Sequence, residues 1–297
     1  MLRPHRSMIE RRLALGPGHC ALITGASHGL GLALARQCAA RGMDLILAAL
    51  PDSGLDARAE ELATTHGVSV RAEALDLTAD GGTEALADAL QESATPLALL
   101  ANNAGVSCIG RFETTALERS ENCILLNDLA LVRLTRRLLS ALRQEPPSYV
   151  LNVASLAAFF SMPLKPVYAA SKAFVLNFSL ALAQDLRGSG VQVSVLCPGA
   201  MLTHAGSCAQ VASGGLLARQ SCLDPSQVAD YALRQMLRGR ELIIPGWINR
   251  LAATLGRVAP RPVAEAVISS IFERRETPSN DDAASTHRAS PSRETLE

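Results

Sequence analysis

The sequence lacks several features that would by themselves indicate a function. Lys and Arg (28) balance Asp and Glu (28), so a formal net charge of +0 gives no sign of a nucleic-acid partner. The seven cysteines are odd in number and form no C-x-x-C pair, which predicts neither a disulfide framework nor a zinc site. Free cysteines favour a reducing compartment, and we expect a cytoplasmic protein. The six histidines show no H-x-x-x-H spacing, so no metal site is predicted.

Neither end of the chain resembles a folded element. Residues 1–18 are basic and lack an apolar run long enough for a signal peptide, so we expect a flexible arm, with a short transit peptide as the alternative. Residues 276–297 are rich in Ser, Asp and Thr, which predicts a disordered tail. Between them, 48% hydrophobic residues suit one large domain over residues 19–245, followed by an extension at 246–275.

Short apolar runs alternate with stretches of helical periodicity. The runs predict strands at Cys20–Thr24, Asp44–Ala49, Val68–Leu75, Leu97–Ala101, Tyr149–Val153, Val191–Leu196 and Glu241–Ile244. Helices are predicted at Gly29–Arg41, Leu55–Thr65, Thr83–Glu92, Leu117–Arg143, Pro166–Leu186 and Asp224–Arg238. This alternation predicts an α/β fold: a single Rossmann-like, doubly wound parallel sheet with helices on both faces.

A Tyr and a Lys stand one helical turn apart, at Tyr168 and Lys172. At that spacing an ammonium is expected to lower the pKa of the phenol toward the range of an acid–base catalyst. Ser155 follows a predicted strand, and open α/β sheets place their sites at strand ends. These three side chains can therefore meet over one carbonyl or alcohol, although most isolated Y-x-x-x-K pairs lie on solvated helix faces.

The first strand-to-helix junction is rich in glycine. Gly25, Gly29 and Gly31 let the backbone approach a pyrophosphate, which the helix N-terminus then stabilises. Their G-x-x-x-G-x-G spacing differs from G-x-G-x-x-G, and glycines at helix starts are often only turn residues.

Together these motifs resemble the short-chain dehydrogenase/reductase family over residues 20–244. The matching segments, in order, are Thr24–Gly31, Asp76, Asn102–Gly105, Asn127, Ser155, Tyr168–Lys172 and Pro198–Thr203. The resemblance implies four catalytic residues: Asn127, Ser155, Tyr168 and Lys172. It implies that Tyr168 is the proton donor, that Lys172 assists it and holds the nicotinamide ribose, and that Asn127 holds a relay water. The alternative for Asn127 is a helix asparagine whose hydrogen bonds are satisfied within the fold and which has no catalytic role.

The same resemblance implies a set of cofactor-binding residues. These are Gly25, Ser27, His28, Gly29, Leu30, Gly31, Asp76, Leu77, Asn103, Ala104, Gly105, Tyr168, Lys172, Pro198, Gly199 and Thr203. The resemblance also places Asn102 in the loop on the cofactor side. Thr203 is expected to contact the nicotinamide carboxamide, and the alternative is that it is only a helix N-cap. The position where NAD-selective relatives carry an acid is Leu50, and His28 occupies a position that is often basic in NADP-using relatives. NADP is therefore favoured over NAD.

The function implied is hydride transfer between NAD(P) and a ketone or secondary alcohol of small-molecule size, with a lipophilic or acyl substrate favoured. The alternative is a dinucleotide sensor or scaffold on the same fold. The extension at 246–275 predicts two short amphipathic helices, with prolines at 260 and 262 between them. They could wall an apolar pocket above Tyr168 or pack on a second subunit. A homodimer or homotetramer is expected, and peripheral membrane contact is less favoured.

Overall fold

A computed structural model describes residues 15–93, 95–201 and 223–258 of the chain. Within these residues, seven strands form one parallel sheet in the order β3-β2-β1-β4-β5-β6-β7. They are β1 Cys20–Thr24, β2 Asp44–Ala49, β3 Val70–Ala74, β4 Leu97–Asn102, β5 Ser148–Val153, β6 Val191–Leu196 and β7 Leu242–Ile243. Strand order reverses between β1 and β4, where open α/β sheets bind ligands. The predicted fold class is confirmed.

The helices that the structure describes cover both faces of the sheet. They are α1 Gly29–Ala39, α2 Leu55–His66, α3 Gly82–Gln91, α4 Leu117–Ile124, α5 Leu131–Gln144, α6 Pro166–Asp185, α7 Pro225–Leu237 and α8 Trp247–Val258. One core cluster packs α1, α2 and α7 on the sheet, and a second packs α3, α5 and the end of α6 on the opposite face. Because both faces are covered, β1, β4 and β5 are buried along their whole length.

The two edge strands are shorter than predicted. Strand β3 begins at Val70, its residues are only partly buried, and β7 contains two residues. An edge strand has a partner on one side only, so fewer residues gain a ladder hydrogen bond. At the N-terminus, Leu15 is buried in the core although it falls within the predicted arm.

The long helix predicted over Leu117–Arg143 contains a distortion that the sequence analysis missed. A π-helical segment, Leu125–Ala130, separates α4 from α5. No Pro or Gly in this stretch signals it. Segments of this kind are frequent at functional sites. Here it contains Asn127, whose buried side chain hydrogen-bonds the backbone of Val106 outside the helix.

Helix α6 has the length and mean hydropathy, 1.2, of a membrane-spanning helix, but a composition of this kind is also found in core helices. Val175 and Leu176 of α6 belong to a third buried cluster, which also contains Ala154 and Cys197. Helix α6 is therefore the element that carries the Y-x-x-x-K pair over the sheet.

Helix α8 is the first of the two helices predicted in the extension. The second helix, the basic arm up to residue 14 and the tail at 276–297 lie outside the described residues. Residues 202–222, which include Thr203, also lie outside them.

Candidate active site

The glycine-rich loop after β1 is tied to the loop after β4. The Thr24 hydroxyl accepts hydrogen bonds from the backbone N–H groups of Asn103 (3.0 Å) and Ala104 (2.9 Å). In return, Asn103 Nδ2 donates to the carbonyl oxygens of Thr24 (2.9 Å) and Gly25 (3.1 Å). Asn103 therefore shapes the predicted cofactor loop through its side chain.

Two glycines of this loop have no room for a side chain. Gly25 has a φ of +64°, and a Cβ on Gly31 would stand 2.0 Å from the Gly25 carbonyl oxygen. Helix α1 begins at Gly29 with no side-chain cap and no acid in its first turn. A helix N-terminus without a side-chain cap in the described part of the chain, behind a compact glycine turn, fits the pyrophosphate of a dinucleotide.

The other predicted cofactor residues of the glycine loop, and Leu77 after β3, differ in how far their side chains are buried. Ser27 is buried, with its hydroxyl 2.9 Å from Nδ1 of the exposed His28. Leu30 and Leu77 place their side chains in the core, so only their backbones can contact a cofactor. These two were predicted from the motif rather than from their side-chain chemistry.

Asp76 lies two residues beyond the end of β3 and is exposed. Its Oδ1 accepts hydrogen bonds from the backbone N–H (2.8 Å) and the hydroxyl (2.7 Å) of Thr78. This turn holds the carboxyl group at the rim of the sheet, where the resemblance expects the adenine.

The predicted catalytic side chains come together at the carboxyl end of β5. Ser155 follows this strand and caps a 3-10 turn by accepting from the Ala157 N–H (3.1 Å). The Tyr168 hydroxyl is hydrogen-bonded to Ser155. Lys172 Nζ lies 5.9 Å from the centre of the Tyr168 ring and donates to the Val153 carbonyl oxygen (3.1 Å).

Burial controls the protonation of both α6 residues. It raises the pKa of Tyr168, and the hydrogen bond from Ser155 offsets only part of this rise. The net shift is therefore opposite to the lowering predicted from Lys172, because desolvation of the phenolate outweighs the hydrogen bond with Ser155. Burial also lowers the pKa of Lys172 to about 8, and the strongest opposing influence is the carboxylate of Asp128.

The side chain of Asn127 is fully engaged and only 1% exposed. Its Oδ1 accepts from the Val106 N–H (2.9 Å), and its Nδ2 donates to the Val106 carbonyl oxygen and to Ser171 Oγ (both 3.0 Å). These contacts match the satisfied-packing alternative and fix the loop that follows β4. The relay water stays a prediction.

Gly105 joins this loop to the catalytic cluster. A Cβ at Gly105 would lie 2.9 Å from Asn127 Oδ1 and 3.2 Å from Lys172 Nζ. The absence of a side chain therefore brings the loop backbone, the amide and the ammonium into one small volume.

The segment after β6 reaches the same edge of the sheet. The Pro198 carbonyl oxygen accepts from the Leu156 N–H (2.8 Å), next to Ser155. A Cβ on Gly199 would stand 2.7 Å from Asn249 Nδ2 of α8. Helix α8 therefore packs directly behind this predicted cofactor segment.

A buried polar network that was not predicted from the sequence lies beneath the site. Asn102 Nδ2 donates to Asn152 Oδ1 (2.8 Å) and to Thr135 Oγ1 (2.9 Å), and Asn152 Nδ2 donates to Ser179 Oγ (2.9 Å). The side chain of Asn102 is therefore hydrogen-bonded within the buried core and does not contact the cofactor side of the loop. Polar residues within buried strands were the available signal.

Helix α8 also contacts the segment that follows Ser155. The Arg257 guanidinium lies 4.9 Å from the centre of the Phe159 ring, and a Cβ on Gly256 would stand 2.6 Å from the Phe160 ring. A groove of about 700 Å³ lies between residues 158–163 and α6, but Ser155 and Tyr168 do not line it.

Several known proteins are similar to this chain. The family model of the short chain dehydrogenases matches residues 19–210. The chain is 33% identical to the ketoacyl reductase HetN of Nostoc over 61% of its own length and 63% of that protein. It is 32% identical to human 17-beta-hydroxysteroid dehydrogenase type 3 over 63% of its own length and 60% of that protein. The match thus spans less than two thirds of each relative.

A solved structure extends the likeness to most of the chain. The short-chain dehydrogenase of Sphingobium yanoikuyae, solved in complex with NADPH, superposes with a TM-score of 0.68 at 29% identity. The superposition covers 90% of this chain and 98% of that one. The chain belongs to the short-chain dehydrogenase/reductase family.

Proposed function

We propose that this protein is an NAD(P)-dependent oxidoreductase acting on a ketone or secondary alcohol. The observation that carries the proposal is the cluster of Ser155, Tyr168 and Lys172 beside a glycine turn that fits a dinucleotide. Relatives named for ketoacyl and hydroxysteroid chemistry support an apolar substrate. The substrate class is part of this proposal.

Each residue of the cluster has a distinct task in the reduction. When bound, the nicotinamide supplies the hydride. Ser155 hydrogen-bonds the substrate oxygen, and Tyr168 transfers its phenolic proton to that oxygen as negative charge develops there. The Lys172 ammonium stabilises the tyrosinate that remains. In the oxidation, Tyr168 accepts the alcohol proton instead.

The test of catalysis is Tyr168→Phe, which removes the proton donor and keeps the ring. Turnover should fall by about 10²–10⁴-fold with NADPH affinity nearly unchanged, because general acids contribute about that much. Tyr231→Phe, on α7 and outside the cluster, is the matched control and should retain full activity. A Tyr168→Phe enzyme with the wild-type rate would contradict the assignment.

The alternative, a dinucleotide sensor, makes a different prediction. Wild-type protein would then bind the cofactor but turn over no steroid, acyl or small carbonyl compound with either NADPH or NADH. A screen of these three classes, with cofactor oxidation as the measurement, separates the two functions.

We propose NADPH as the preferred cofactor. Leu50, which directly follows β2, is 57% exposed and provides no acid for the ribose hydroxyls, while His28 is exposed in the glycine loop. The first acidic residue after Leu50 is Asp52, which has a φ of 59° and lies in the turn before α2. The Sphingobium relative, solved with NADPH, supports this preference.

Leu50→Asp tests the cofactor preference. A carboxylate at this position would accept hydrogen bonds from ribose hydroxyls and repel a 2′-phosphate, so NADPH affinity should fall and NADH affinity should rise. Cofactor fluorescence titrations measure both. Tighter binding of NADH than NADPH by the wild-type protein would contradict the proposal.

We also propose a cytoplasmic homodimer or homotetramer. The described cysteines, Cys20, Cys38, Cys108, Cys123 and Cys197, are free and buried, which suits a reducing compartment. Large apolar side chains are exposed on α4, the π-helical segment and α6. Cell fractionation and light scattering test the two parts separately, and co-sedimentation with liposomes would instead support peripheral membrane contact.

A further inference from the structure

One acidic side chain lies beside the catalytic cluster without belonging to a predicted motif. Asp128 follows Asn127 in the π-helical segment Leu125–Ala130. Its Oδ1 is buried and accepts no hydrogen bond from any residue in the described part of the chain. A carboxylate with one buried oxygen that lacks a donor is costly unless a positive charge compensates it.

The compensating charge is on the helix packed against this segment. The π-helical segment contacts α6, and Asp128 interacts electrostatically with Lys172. Within the described residues, the hydrogen bond of Lys172 Nζ is to the Val153 carbonyl oxygen, which carries only a partial charge. Lys172 is itself buried and Asp128 is half-buried, so both groups lose part of the solvent that would otherwise stabilise their charges.

Among the described residues, the titratable groups that interact with Lys172 are Asp128, Cys123, Cys197 and Tyr168. Burial raises the pKa of Cys123 to about 11 and that of Cys197 to about 12, so both thiols are neutral at physiological pH. Burial also raises the pKa of Tyr168. Asp128 is therefore the carboxylate among these groups, and its own pKa is raised by burial to about 6.

We propose that Asp128 is a positioning residue for the reaction: its carboxylate is the counter-ion that keeps Lys172 charged inside the buried site. The inference rests on the proposed role of Lys172 as the ammonium that stabilises the Tyr168 oxygen and holds the cofactor. Asp128 acts through Lys172 and needs no contact with the substrate.

The decisive variant is Asp128→Asn, which keeps the shape and removes the charge. Without the carboxylate, Lys172 should lose its proton at lower pH, so the alkaline limb of kcat/KM should move down by about one pH unit. Activity should then fall by about tenfold near pH 8.5 and change little near pH 6. An unmoved limb, or a uniform loss at every pH, would overturn the proposal.

Two further variants separate the charge from structural effects. Asp128→Glu restores the carboxylate and should return the limb toward its wild-type position. Glu121→Gln removes the same charge from an exposed position on neighbouring α4 and should leave the limb in place. An equal shift in Glu121→Gln would show a general charge effect and overturn the proposal. Asp128→Ser is a second neutral variant if the Asn protein does not fold.

A binding measurement distinguishes this inference from the proposed function. In a Tyr168→Phe background, which removes the titrating phenol, NADPH affinity should weaken as Lys172 loses its charge. Adding Asp128→Asn should move the midpoint of that decline to lower pH. If Tyr168→Phe retains full turnover, the proposed function fails. If turnover is lost but the midpoint stays in place, only the role of Asp128 fails.

Discussion

At the residue scale, desolvation determines the electrostatics of the site. Lys172 is buried at the end of β5, and among the described residues its charge is supported by the Val153 carbonyl oxygen and the Asp128 carboxylate; its pKa falls to about 8. A solvated Y-x-x-x-K pair would have left the pKa of the lysine near its ordinary value. The site therefore operates with an ammonium that titrates close to physiological pH.

This titration predicts a pH dependence of the reduction. Lys172 is charged below about pH 8 and neutral above it, so kcat/KM for the NADPH-dependent reduction should decline as pH rises through about 8. A pH series of initial rates measures this limb. Lys172→Arg keeps its charge over the whole range and should lose the limb. The same limb in both proteins would show that another group is responsible.

At the element scale, close backbone approaches determine where the functional groups stand. Gly31 allows α1 to begin directly against the Gly25 carbonyl oxygen, and Gly105 allows the loop after β4 to approach Lys172. The π-helical segment adds a third device, because it brings Asn127 to the Val106 backbone. Each of these close approaches depends on a residue that is distant in the chain and packs against the segment.

Helix α8 provides the prediction at this scale. In Gly256→Ala the new Cβ would stand 2.6 Å from the Phe160 ring and 2.9 Å from the Phe159 carbonyl oxygen, so α8 must move away from the segment after Ser155. If the helix supports an apolar substrate pocket, KM should rise for polycyclic or long-chain ketones more than for small ones. Michaelis constants for matched large and small ketones test this.

The control for this prediction is Leu255→Ala, on the exposed side of the same helix. It should leave both Michaelis constants unchanged. Equal losses on large and small ketones in Gly256→Ala would contradict the pocket-wall hypothesis and favour a purely structural role for α8.

At the scale of the whole molecule, two exposed apolar surfaces are candidates for the proposed subunit contact. One includes Leu125 and Leu129 of the π-helical segment and Phe174 of α6. The other is a stripe on α8 with Trp247 and Leu255 at helical spacing. Exposed apolar surfaces of this kind mark interaction sites.

Phe174→Glu tests the first surface. Phe174 is 44% exposed and its ring stacks on that of Phe178, so a charge there should disrupt contact with a second copy while leaving the fold intact. Light scattering should then report a monomer. Trp247→Glu is the matched variant on α8 and should leave the assembly unchanged. The reverse result would support subunit packing by the extension.

The sequence by itself determined the parallel sheet, because alternating apolar runs and helices specify covered strands, and β1, β2 and β6 begin and end where predicted. It also placed Ser155, Tyr168 and Lys172 in one site, since strand ends and helical spacing follow from local periodicity. The tertiary structure alone decided how those residues are charged, because desolvation depends on what surrounds them. It likewise decided that the side chains of Asn102 and Asn127 serve packing and that Asp128 interacts electrostatically with Lys172. These facts depend on contacts between residues distant in the chain, which no local pattern records.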